Sequence, residues 1–132
     1  LVIITMLPIL VQSQDASQEY FGAIAIDVKT GDHGISHDLT SAKQASESAL
    51  FNCNSPGCSV KVTFYSSNFM CAAVAVQRQS DQSLKFLGTG YGQSAVEAEQ
   101  NARKRCGQEF GFCTVITSCN LKKAPKRQTS PY

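Results

Sequence analysis

Charge is scarce in this chain. Asp, Glu, Lys and Arg make up 17% of its 132 residues, and the formal net charge is +2. Such a balance gives no basis for the strongly basic surface of a nucleic-acid binder, and no nucleic-acid partner is expected. No two cysteines have the C-x-x-C spacing, and neither His33 nor His37 lies near a cysteine in sequence. The tight paired ligands of a structural zinc site are therefore missing, and no metal or cofactor is implied. No G-x-S-x-G elbow is present to mark a serine hydrolase, and no Asn-x-Ser/Thr acceptor implies an N-glycan. The apolar run Leu1–Val11 is eleven residues long, too short to cross a bilayer.

What is present describes one small domain. Apolar residues reach 42%, enough for a core and against global disorder. The opening run LVIITMLPILV fits the apolar region of a secretory signal peptide. Val11 and Ser13 stand at the small-residue positions of a cleavage after Ser13. Residues 1–13 are thus expected to be a signal-peptide remnant, truncated because an initiating Met and a basic segment are lacking. Six cysteines (Cys53, Cys58, Cys71, Cys106, Cys113 and Cys119) then read as a disulfide framework in an exported protein, extracellular or periplasmic. Lys122, Lys123, Lys126 and Arg127 follow Asn120 with no acid among them. Residues 120–132 read as a basic, disordered tail, able in principle to hold an anionic surface.

Periodicity supplies the elements. Tyr20 to Val28 reads as a buried strand, Lys29 to Asp32 as a hairpin turn and His33 to His37 as the returning strand. Ser41 and Gln44 form a capping box, and Ala42, Ala45, Ala49, Leu50 and Cys53 define one helical face. Ser55-Pro56-Gly57 stops that helix. Strands are expected over 58–65, 70–76, 84–91 and 113–119. A second capping box, Ser94 with Glu97, opens a helix faced by Ala95, Ala98, Ala102 and Cys106 and ended by Gly107.

The two helices repeat one another. Ser41, Ala42, Ala45, Ala49 and Cys53 align without a gap on Ser94, Ala95, Ala98, Ala102 and Cys106. Each helix is followed by Cys-x-Val, at Cys58 and at Cys113. The chain therefore reads as a duplicated strand-helix-strand unit, with repeats over about residues 20–76 and 84–119. The pairing that respects the repeat is Cys53–Cys58 and Cys106–Cys113, which leaves Cys71–Cys119. The expected fold is α+β: one mostly antiparallel sheet of about six short strands, two Ala-faced helices and three disulfides.

Tyr20-Phe21-Gly22-Ala23-Ile24-Ala25, Thr30-Gly31, Gly34, the Ser41 to Cys53 series, Cys58-x-Val60 and Cys71-Ala72-Ala73-Val74-Ala75 resemble the domain-of-unknown-function 4189 family. Gly88-x-Gly90 through Cys119 resembles that family's second repeat, so the likeness spans residues 20–119. It implies a small exported protein without an established general activity. Relatives often carry Trp or Tyr around these glycines. This chain has no Trp and places Ile35-Ser36-His37 there, which implies an altered binding surface.

Residues with chemistry to offer are few. His33 and His37 share one strand face about 13 Å apart, too far to hold one metal ion together. With Asp32 and Asp38 they form a polar cluster whose plain reading is a solvated strand and turn. Gly88-Thr89-Gly90-Tyr91-Gly92 resembles a glycine-rich phosphate loop before a helix but lacks the full motif, and reads as a structural turn. No catalytic residue is assigned. The expected function is that of a secreted binding or interaction module for another protein or a cell-envelope component, with no transmembrane segment. The alternative is a small secreted hydrolase.

Overall fold

The computed structural model describes residues 18–106 and 113–123, together with Ile3. The rest of the expected signal segment, Gly107, and Lys126 and Arg127 of the tail lie outside the described residues. The elements run β1 (Phe21–Ile26), β2 (His33–Leu39), α1 (Ala42–Cys53), β3 (Ser59–Tyr65), β4 (Cys71–Arg78), β5 (Leu84–Gly92), α2 (Ala95–Arg103) and β6 (Cys113–Cys119). A single 3-10 turn, Lys104–Cys106, extends α2.

The strands form two antiparallel sheets of three strands each, ordered β2-β1-β3 and β5-β4-β6. This corrects the expectation of one sheet. The reason lies in the central strands. In β1, Ile24 and Ile26 alternate with Ala23 and Ala25; in β4, Val74 and Val76 alternate with Ala73 and Ala75, and all eight are buried. Both faces of each central strand must then be covered. One helix covers each small-residue face. The branched faces cover one another: Ile24, Ile26, Val62 and Phe64 meet Ala72, Val74, Val76 and Leu84 in one apolar cluster. The layers are helix, sheet, sheet, helix. Burying each Ile or Val of this middle layer contributes roughly 1.5–3 kcal/mol.

Each helix lies on its sheet through a narrow stripe. Ala45, Ala49 and Cys53 are buried against Ala23 and Ala25, and Ala98 and Ala102 against Ala73 and Ala75. Ala42, Leu50 and Ala95, expected on the same faces, are exposed. Residues spaced by four suffice because alanine lets the helix axis approach closely. The approach is closest at glycine: a Cβ on Gly34 would lie 2.3 Å from the Ala49 carbonyl oxygen, and one on Gly90 would lie 2.2 Å from the Ala102 nitrogen. The segment from Gly88 to Gly92, expected as a turn, is therefore the end of β5, and α2 packs directly upon it.

Both expected N-caps are formed: Ser41 Oγ accepts from the Gln44 N–H and Ser94 Oγ from the Glu97 N–H, each at 3.1 Å. The Gln44 and Glu97 side chains reach back one residue past the cap, to the Thr40 and Gln93 N–H groups at 3.3 Å. Disulfides join Cys53 to Cys58 and Cys106 to Cys113, each tying a helix end to the strand after it. Cys71 and Cys119 sit opposite each other on β4 and β6 and form the third.

Candidate functional site

The polar residues singled out in the sequence do not converge. His33 is exposed near the start of β2. Asp32 acts through its backbone, accepting from the Asp27 N–H at 2.8 Å. His37 and Asp38 alone meet, with Nδ1 and Oδ2 2.7 Å apart. They sit at an irregularity where β2 carries an extra residue against β1, and Asp38 takes a left-handed φ of 60°. The bulge turns the Asp38 carboxylate toward the chain after β6. Its Oδ1 accepts the N–H groups of Leu121 and Lys122 at 2.9 and 2.8 Å, and its own N–H donates to Asn120 Oδ1 at 2.7 Å. Asn120 Nδ2 donates in turn to the Tyr20 carbonyl.

This arrangement is a latch between the two halves. Burial pulls the Asp38 carboxyl upward, but the Lys122 N–H, the His37 ring and the Leu121 N–H together hold it below the usual carboxylate range. A nucleophile activated by His37 would need a hydroxyl or thiol bonded to its ring. Among the described residues the ring bonds only to Asp38. Asp27 is likewise structural. Ser55 bonds its carboxylate, and with the Lys29 and Thr30 N–H groups holds it below its ordinary value against the pull of burial. Of the basic tail, Lys122 places its ammonium 5.5 Å from the Tyr20 ring centre, and Lys123 is exposed.

A more organised surface lies where α2 crosses the end of β5. An open groove of about 500 Å³ is lined there by Phe69, Tyr91, Glu97, Asn101, Lys104 and Arg105, with Thr89 and Gly90 at its base. The Phe69 and Tyr91 rings stack with centroids 5.2 Å apart. Asn101 Nδ2 donates to the Tyr91 carbonyl at 2.7 Å, so ring and backbone of Tyr91 are both held. Gly88 lets the Arg105 stem lie flat on β5: a Cβ there would meet Arg105 Cγ at 2.8 Å. The Glu97 carboxylate faces back to the Gln93 N–H at 3.3 Å, closing the helix cap. Lys104 and Arg105 are exposed and have no ion-pair partner among the described residues.

The other unit does not carry this surface. Register places Ser36 opposite Ala23 as Gly90 is opposite Ala73, so His37 is the counterpart of Tyr91. On the aligned helices, Phe51 and Asn52 stand where Lys104 and Arg105 do. One unit thus presents two cations beside an aromatic pair and the other presents neither cation. Sequence reasoning passed over this groove because Phe69 lies in the β3–β4 turn. Only the pairing of β4 with β5 brings it to Tyr91. The readable signal was the basic run Arg103-Lys104-Arg105 beside an exposed Tyr.

The family model described as a domain of unknown function, DUF4189, matches residues 21–120. No curated protein and no solved structure matches the chain.

Proposed function

The chain belongs to the DUF4189 family, and from that premise we propose that it is an exported, disulfide-stabilised binding module that holds acidic polysaccharide in the α2–β5 groove. The observation that carries this reading is the pairing of Lys104 and Arg105, two cations without an ion-pair partner among the described residues, with a tyrosine whose ring stacks on Phe69 and whose backbone carbonyl is held by Asn101. Cations attract carboxylates, and the Arg105 fork can take one by two parallel hydrogen bonds. Exposed Tyr91 offers apolar surface for a sugar ring, and pinning the ring beforehand lowers the ordering cost of binding. The groove is open along its length, which suits a chain rather than an enclosed small molecule. Export is supported by three disulfides, bonds that persist in oxidising compartments. No described helix is long and apolar enough to cross a membrane.

Titration with an oligogalacturonate, against a neutral galactan of equal length, tests the reading. Uronate should bind and the neutral chain should not. Affinity should fall as salt rises, because exposed charges are screened. Reversing both charges (Lys104→Glu with Arg105→Glu) should weaken binding at least tenfold, or about 1.4 kcal/mol. Both residues are exposed, so the variant keeps the fold. Equal binding of the neutral chain, or an unaffected double variant, contradicts the proposal.

A further inference from the structure

We propose a second, independent binding site: the cleft between strands β2 and β6 accepts an extended, uncharged segment of another protein, paired to the open strand edges. β2 and β6 are outer strands of their sheets on the same flank. At one end they are stitched together, Ser118 Oγ donating to the Ser36 carbonyl at 2.9 Å and Asn120 bonding Asp38. At the other end they part and leave a cleft of about 570 Å³ between His33–Ile35 and Thr114–Thr117.

Alternation identifies which backbone groups face the cleft. The Asp27 N–H bonds the Asp32 carbonyl, so Asp27 and Asp32 face each other, as do Ala25 and Gly34 two residues on. His33 and Ile35 therefore turn their N–H and C=O groups away from β1. On β6, the Asn120 N–H bonds the Met70 carbonyl, and the same counting turns Val115 and Thr117 away from β4. Asn52 Nδ2 already occupies the Ile35 carbonyl, at 2.9 Å. The other outward groups have no partner among the described residues. Groups spaced by two residues, about 6.6 Å apart, match the hydrogen-bonding repeat of an added strand.

Charge decides what kind of segment fits. Edge strands are commonly guarded by lysine or proline. The opposite flank is guarded: Lys61 of β3 reaches over the Phe86 ring of β5, 5.6 Å from its centre. Among the described residues the β2–β6 cleft is lined by threonines, Val115, Ile116, Ile35 and Asn52, with His33 as the one titratable side chain of the lining; the neighbouring carboxylate, Glu99, is taken up by the Thr117 hydroxyl at 3.0 Å. Its partner is a neutral strand with small or branched side chains. Four residues of β6, about 13 Å of strand, set the length of the contact.

A blocked five-residue peptide alternating Thr and Val is the probe, with its N-methylated form as control. In the oxidised protein, saturating peptide should slow amide exchange of Ile35, Val115 and Thr117 at least tenfold. The N-methylated peptide should protect none of them. Thr114→Lys or His33→Lys, both at exposed positions, should weaken peptide binding at least fivefold with unchanged thermal stability. Absence of protection, or equal protection by the N-methylated peptide, overturns the proposal. So does protection that grows with protein concentration without peptide, which would identify a second copy as the occupant.

Discussion

Replacing Gly90 with alanine tests how the fold builds its groove. The added methyl would lie 2.2 Å from Ala102 N, 2.5 Å from the Ala98 carbonyl oxygen and 2.6 Å from the Asn101 carbonyl carbon. All three are backbone atoms of α2, and no rotamer change moves them aside. Ordinary contact begins at 3.4 Å, so the helix must retreat by roughly 1 Å from a close-packed seat. Retreat loosens Ala98 and Ala102 from Ala73, all fully buried, and stretches the Asn101–Tyr91 bond. Overpacking of this kind costs about 1–3 kcal/mol and the weakened hydrogen bond about 1 more. In a domain of this size each kcal/mol moves Tm by about 4–8 °C, so a fall on the order of 10–25 °C is expected. Thermal unfolding of the oxidised protein, followed by circular dichroism, reads it. Gly31→Ala is the control, since its methyl finds nothing nearer than 3.9 Å and pays only for a φ of +84°. A Gly90→Ala protein that melts within about 2 °C of the parent would refute the close seating of α2.

Asn120→Ala removes the partners of the Asp38 N–H and the Tyr20 carbonyl at a buried position. It should cost about 2–4 kcal/mol in urea unfolding, and a loss under about 1 kcal/mol would contradict the latch. Stability should also depend on acid. Asp38 and Asp27 have lowered folded-state pKa values, so their contribution is full above the unfolded carboxylate value near pH 4 and is lost as pH falls through the folded values. Asp38→Asn tolerates the left-handed backbone and should flatten that acid limb in pH-dependent denaturation; an unchanged slope would remove Asp38 from the account.

Local features of the fold were legible because they rest on neighbouring residues. Ser41 with Gln44 and Ser94 with Glu97 announce both helices, and alternation announces β3. The layering was not read, although its signal was present. Ile24-Ala25-Ile26 and Val74-Ala75-Val76 have two buried faces of different bulk, and two Ala-faced helices can cover only the small ones. A second sheet is the remaining cover. The Asp38 bulge had no such signal: an aspartate with positive φ reads in sequence as one more polar strand residue. The grooves were illegible for a related reason. Phe69 meets Tyr91, and Ile35 and Ile116 reach the same apolar cluster, only after long-range pairing has fixed both sheets.

The α2–β5 groove is the proposed seat of an anionic chain. The most direct test is an amide and side-chain shift map of the oxidised protein saturated with oligogalacturonate at low salt. The largest changes should fall on Tyr91, Asn101, Lys104, Arg105 and the Phe69 ring. Shifts centred instead on Lys122 and Lys123, or spread evenly over every lysine, would contradict the proposal.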